Sequence, residues 1–145
     1  MMQRAIRLST DQRDQMLGHV ISWLPEEACG LLAGREGRVA VVLPVENAEH
    51  SPVRFRMDPE QQIRALQEME EQDLVLLGIY HSHPTGPTGP SLTDLAEAAY
   101  PGVCHVIWSR RNKEWMARAY VLESGEGREI LLVVENETDS VGSGY

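Results

Sequence analysis

Apolar positions follow two periods along the chain, and Pro and Gly punctuate the stretches between them. Met16, Leu17, Val20, Ile21 and Leu24 form one stripe at helical spacing, so a helix is predicted from Ser9 to Trp23. Ser9 and Gln12 suit a capping box at its start, and Pro25 stops it. Ala28 to Ala33 is a short apolar run ending at Gly34; a turn around Glu36-Gly37 leads into the Val-rich Arg38 to Val45, and the pair reads as a hairpin. Val53 to Met57 alternates apolar and basic residues and predicts another strand. Asp58-Pro59 opens a second helix, with a capping Asp and Pro at the first helical position, and Ile63, Leu66 and Met69 supply its buried face. Leu74 to Tyr80 is almost wholly apolar, as in a central strand buried on both faces, and it runs directly into His81-Ser82-His83-Pro84. A Gly/Pro loop from Thr85 to Pro90 precedes a third helix, expected from near Ser91 to just before Pro101-Gly102. Three more strands are expected at Val103 to Ser109, Trp115 to Leu122 and Glu129 to Val134, and the polar, Gly-rich stretch 136–145 predicts a frayed tail. Interleaved helices and strands give an α/β or α+β class, a mixed central sheet flanked by helices.

At 145 residues the chain fits one domain, expected over 1–135 with the tail beyond it. Such a domain buries roughly two-thirds of its unfolded surface, so no metal is needed merely to fold it, and any metal site points to chemistry. The formal charge of -9 argues against nucleic-acid binding, which relies on Lys and Arg neutralising phosphates. No apolar run approaches the roughly 18 residues of a membrane span, and Met1 to Thr10 lacks the apolar centre of a signal peptide. A cytoplasmic protein without a membrane partner is expected. Cys29 and Cys104 lie far apart in apolar surroundings and read as buried free thiols; a Cys-based zinc site needs close Cys pairs, which the chain lacks. Trp23, Trp108 and Trp115 are expected in the core or an interface.

The chemistry concentrates between His81 and Asp94. In an extended chain, residues two apart point to the same side, so His81 and His83 present two imidazoles to one point at the end of an apolar strand. The Gly/Pro loop turns the chain back, and Asp94, in the first turn of the next helix, supplies a third ligand. Two His and one Asp suit zinc and leave a fourth position for water. A His-x-His pair is a weak signal by itself, and Ser91 with Asp94 also fits a plain capping box, Ser-x-x-Asp. His50 reads as a surface-loop residue or a substrate contact, His105 as structural, and His19 as exposed.

Joined at this spacing, the pieces resemble the motif of the JAMM (MPN-plus) metallopeptidases: His-x-His-Pro, a gap, then Ser-x-x-Asp. That motif also requires an upstream Glu, and Pro25-Glu26-Glu27-Ala28-Cys29-Gly30 is similar to the family's Glu-x-Cys-Gly segment, with Glu27 the matching residue and Glu26 its exposed neighbour. The resemblance runs from the first helix to about Val134 and implies a cytidine-deaminase-like α/β sandwich. The deaminase signature and the His-Glu-x-x-His of other metalloproteases are absent. It implies Zn2+ held by His81, His83 and Asp94, where the ion acidifies its water to a pKa of about 7 and polarises a carbonyl. Glu27 would take the water proton and deliver it to the leaving amine, and Ser91 would hydrogen-bond the oxyanion. The family cuts peptide or isopeptide bonds after the C-terminal Gly-Gly of ubiquitin-like proteins. Glu46 to Pro52, followed by the Phe55-containing segment and no long insertion, resembles its small prokaryotic members, which act on ubiquitin-like sulfur carriers, including carrier–cysteine adducts. Two alternatives stand beside this: a non-catalytic scaffold or binding module, and a different zinc hydrolase on the same scaffold. A homodimer is left open.

Overall fold

The computed structural model describes residues 4–98, 100 and 102–136. The chain runs β1 (Ala5–Ser9), α1 (Thr10–Ser22), β2 (Cys29–Arg35), β3 (Arg38–Val45), α2 (Pro59–Glu71), β4 (Val75–His83), α3 (Leu92–Ala96), β5 (Cys104–Arg111), β6 (Glu114–Glu123) and β7 (Glu126–Glu135). The strands form one mixed sheet in the order β1-β3-β2-β4-β5-β6-β7. It closes on itself because β1 pairs with both β3 and β7. The central β4–β5 pair is parallel, and β4 is antiparallel to β2 on its other side.

Both faces of the sheet are covered. Met16 and Val20 of α1 pack with Ile6, Leu8, Leu32, Tyr80 and Trp108. Ala65 and Met69 of α2 pack with Leu31, Ala33, Leu43 and Ile79 on the other side. Neighbouring residues of β2 thus enter opposite layers, as the period of two requires, and the run Cys29 to Ala33 is apolar because neither layer is wet. Cys29 and Cys104 are buried free thiols, as expected. Trp108 is a core residue, and Trp23 and Trp115 pack partly buried against the same core.

The capping signals are realised. Ser9 and Gln12 form a reciprocal box at the start of α1, and the Asp58 side chain accepts from Gln61 N ahead of Pro59 at the start of α2. Five expectations are corrected. The strand β1 was not anticipated; its alternation spans only Ile6 and Leu8, and its partners lie at the far end of the chain. Val53–Met57 is not a strand; its one bridge, Asn47 to Met57, is isolated outside the named strands, because the Asn47 side chain takes backbone groups that a ladder would use. Ile63 is 57% exposed, since the inward face of α2 centres on Ala65 and Met69. The third helix is five residues long and buries none of them, so no apolar stripe extends it towards Tyr100. His19 is half-buried and hydrogen-bonded to the Tyr80 hydroxyl at 2.7 Å rather than exposed. Apart from Asn136, the tail expected over 136–145 lies outside the described residues. Among the described residues no helix is long and apolar enough to cross a membrane.

Candidate active site

Strand β4 delivers His81 and His83 to the α2-facing side of the sheet at its C-terminal end. Both imidazoles are buried, and their Nε2 atoms stand 3.1 Å apart. The chain then turns through the Gly/Pro loop, where His83 Nδ1–H donates to the Pro87 carbonyl at 2.8 Å. A carbonyl only accepts, so this bond places a proton on Nδ1 and leaves Nε2 as the ring atom that faces inward.

Ser91 caps α3. Its hydroxyl accepts from Asp94 N at 3.0 Å, and Asp94 Oδ2 accepts from Ser91 N at 2.9 Å. The same Oδ2 lies 2.9 Å from His83 Nε2 and 3.1 Å from His81 Nε2. The capping box read from the sequence and the candidate ligand site are therefore one structure: the cap aims the carboxylate. Serving as an acceptor leaves the Ser91 O–H proton available for a second bond.

Glu27 arrives from the turn between α1 and β2, and its backbone is clamped. Glu27 N–H donates to Ser51 O at 2.8 Å. Its carbonyl accepts from Asn47 Nδ2 at 3.1 Å. The next residue, Ala28, donates to Ser82 Oγ at 2.8 Å, while Ser82 N–H donates back to Ala28 O. The Glu27 side chain is 2% exposed, and its Oε1 is buried without a hydrogen-bond partner. Ligand atoms of Glu27, His81 and His83 all lie within 4.8 Å of one another. Glu26 turns away and pairs with the exposed His50 at 3.0 Å, so His50 lies in a surface loop.

The electrostatics separate the carboxylates. Burial lifts Glu27 to about 8, with the nearby His83 charge pulling it down and Asp94 adding to the rise. Burial also acts to raise Asp94, but bonds from His81, His83 and the Ser91 N–H outweigh it and hold that carboxyl well below the usual range. Burial lowers His81. For His83 burial acts in the same sense, but Asp94 and the Pro87 carbonyl outweigh it and the imidazole is raised. One carboxylate is thus locked in its anionic form among donor nitrogens, while the other holds a proton near neutral pH.

The site opens into a cleft of about 320 Å3 whose walls include Phe55, Met57, Ile79, His81 and Asp94. The Phe55 ring stacks on His81 with centroids 4.5 Å apart, and Arg54 reaches across to Glu97 at 2.6 Å. His105 lies on the floor, and burial lowers it to about 4. The sequence pattern assigned no role to Asn47 and Ser82, which hold the segment carrying Glu27, or to Phe55, which stacks on His81. The available signal was a lone Asn directly after a Val-rich strand, and a Ser at the one motif position whose side chain points to the opposite face from the two imidazoles.

Comparison with known proteins agrees with this geometry. The chain is 40% identical over 118 residues to a desampylase of Pyrococcus furiosus, covering 80% of this chain and 81% of that one. It is 38% identical over 107 residues to the CysO-cysteine peptidase of Mycobacterium tuberculosis, covering 72% and 73%. A Desulfitobacterium hafniense protein solved in solution superposes with a TM-score of 0.82 at 34% identity, covering 90% of this chain and 93% of that one. Residues 9–122, which hold all five motif residues, match the family described as prokaryotic homologs of the JAB domain, and the chain belongs to that family.

Proposed function

We propose that the protein is a zinc-dependent JAMM-type peptidase that hydrolyses the bond after the C-terminal Gly-Gly of a ubiquitin-like or sulfur-carrier protein, such as a carrier–cysteine adduct. The observation that carries this reading is the triangle of His81 Nε2, His83 Nε2 and Asp94 Oδ2, with edges of 2.9 to 3.1 Å. Donors about 2.0–2.2 Å from one tetrahedral ion stand roughly 3.3–3.5 Å apart, so the triangle fits zinc after a small relaxation. Two imidazoles and a carboxylate are also the right donor chemistry. Asp94 rather than Glu27 is taken as the third ligand, because its oxygen reaches both imidazoles at hydrogen-bond distance.

Zinc, when bound, supplies Lewis acidity towards a carbonyl and acidifies water. The remaining work falls to the chain's own residues. Glu27 is the buried carboxyl beside the two imidazoles, and a carboxyl in that place can pass a proton in both directions. Its partnerless Oε1 is free to take a proton from water and return it to the leaving amine. The Ser91 hydroxyl, with its proton uncommitted, donates to the oxyanion. Phe55 holds His81 by stacking and keeps water off one side of the ring.

The substrate class rests on the names of the relatives and on the shape of the cleft. The Pyrococcus relative is a desampylase and the mycobacterial relative a CysO-cysteine peptidase. Val53 is exposed, and segment 53–57 lies beside the site with its single bridge at Met57. A Gly-Gly tail, slim for want of Cβ atoms, adds along this segment as a strand, and the carrier's folded body supplies further binding energy. We read residues 1–135 as the one unit that carries this activity, and the fold as a cytidine-deaminase-like sandwich; α1 and α2 on opposite faces of the sheet support that reading. The buried, partnerless Glu27 Oε1 favours an enzyme over a scaffold.

The test compares a carrier–Gly-Gly–Cys fusion with its isolated last six residues as substrates. Zinc-dependent release of cysteine from the fusion, with much higher kcat/KM than from the peptide, is expected. Equal kcat/KM would refute carrier recognition, and no hydrolysis of either would refute the peptidase reading itself.

A further inference from the structure

We infer that Asn47 is a positioning residue for catalysis, tying the base Glu27 and the substrate-side segment 54–56 into one unit; the inference rests on the peptidase reading above. Asn47 is fully buried. Its amide makes four hydrogen bonds, which matches the two donors and two acceptor positions of the group. Nδ2 donates to Glu27 O and to Arg54 O, each at 3.1 Å. Oδ1 accepts from Glu49 N at 3.0 Å and from Arg56 N at 3.1 Å.

These four bonds go to two places that chemistry must keep in register. One is the peptide that carries Glu27. The other is the segment around Phe55, whose ring lies on His81. The segment has one isolated bridge, Asn47 to Met57, with Ala48 N–H donating to Arg56 O and Asp58 N–H to Glu46 O beside it, and the Asn47 amide extends this pairing where no regular ladder forms. A side chain is needed there because Glu27 and the segment 54–56 lie on different stretches of chain that no regular backbone pairing joins. Ser51 closes the same circuit from the loop, accepting from Glu27 N–H at 2.8 Å. Loss of Asn47 loosens Glu27 and the Phe55 segment, which keep the backbone bonds of Glu27 N–H to Ser51 O and of Ala48 N–H to Arg56 O, and it removes none of the direct contacts among His81, His83 and Asp94.

The consequence is specific. Displacing a reacting group by about 1 Å costs on the order of 100-fold in rate. Asn47→Ala therefore lowers kcat by about 10- to 100-fold with zinc content unchanged. It also raises KM for the carrier fusion, because the segment along which the tail lies is loosened. Removing Asn47 costs little further once Glu27 no longer acts as a base, since residues that work as a unit are non-additive.

The experiment is a cycle of wild type, Glu27→Gln, Asn47→Ala and the double variant, measured as kcat on the carrier–Gly-Gly–Cys fusion with zinc quantified in each. Met69→Ala, a core change on α2, is the control for general destabilisation. Amide exchange supplies a readout independent of activity: the N–H groups of Glu49 and Arg56 exchange faster in Asn47→Ala while Ala28 N–H stays protected. Expected is a double variant no slower than Glu27→Gln alone within about 3-fold. Multiplying losses, or a kcat loss in Asn47→Ala no greater than in Met69→Ala, would overturn the inference. Should Asn47→Ala not fold, Asn47→Ser, which keeps a hydroxyl for part of the network, is read in the same cycle. An inactive wild type would refute the peptidase reading and the inference with it, whereas an active wild type with multiplying losses refutes the inference alone.

Discussion

Glu27→Gln separates the chemistry of the site from its cost to stability. The Glu27 carboxyl has an ordinary value of 4.5 and titrates near 8 in the metal-free fold, chiefly because it is buried. Below about pH 4.5 it is protonated in both folded and unfolded chains and carries no penalty. Between about 4.5 and 8 the folded chain holds a proton that the unfolded chain has lost. Stability therefore falls as pH rises, by up to about 1.4 kcal/mol per pH unit, and levels off above about pH 8. The full span is on the order of 5 kcal/mol, a large share of the total for a domain of this size. The amide introduced by Glu27→Gln mimics the neutral carboxyl and does not titrate. Urea unfolding of chelator-treated wild type and Glu27→Gln between pH 5 and 9 reads this directly. The two should be of similar stability at pH 5, with the variant ahead by a few kcal/mol at pH 8.5. On the zinc-loaded enzymes the same substitution should lower kcat by about 10²- to 10⁴-fold with zinc retained. Parallel stability profiles would show that Glu27 is ionised in the fold at neutral pH, and near-normal turnover would give the base to another residue.

Further outcomes follow from single contacts. Chelation should abolish hydrolysis and zinc restore it, and zinc should raise the Tm of the wild type by mass action but scarcely that of Asp94→Ala; an undiminished rise in that variant, read by calorimetry, would remove Asp94 from the ligand set. Ser82→Ala leaves the buried Ala28 N–H without its 2.8 Å acceptor, which should cost about 1–3 kcal/mol in urea unfolding, with Ser82→Thr milder; no loss would mean water replaces the hydroxyl. Gly34→Ala drives a Cβ into the Arg38 carbonyl oxygen, backbone that does not yield, and should destabilise by about 1–3 kcal/mol or more. Gly18→Ala on α1 meets nothing within 4 Å and should stabilise by about 0.5–1 kcal/mol, so equal Tm values for the two alanine variants would contradict this packing.

Local spacing along the chain encodes one part of this protein. Alternation put His81 and His83 on one side of β4. The pattern Ser91-x-x-Asp94 set a cap, and the cap directs a carboxylate back along the chain. Ser9 with Gln12, and Asp58 with Pro59, likewise started α1 and α2 at the expected residues, because capping is a contact across three or four residues. The resemblance added Glu27, which no local period connects to the histidines. Tertiary structure decided the rest. It brought Glu27 within reach of His81 and His83 by pairing β2 with β4. It closed the sheet through β1, whose five residues carry too little pattern to announce a strand and whose longer pairing is with β7 at the far end of the chain. It also denied Val53–Met57 its strand, although the alternation was sound. A period of two says only that a segment is extended, and here the buried Asn47 amide claimed the backbone groups of Arg54 and Arg56 before a neighbouring strand could. Local pattern selects the conformation of a segment, but the burial and hydrogen-bond demands of residues distant in sequence select its partners, and in this protein the geometry of the candidate site depends on those partners.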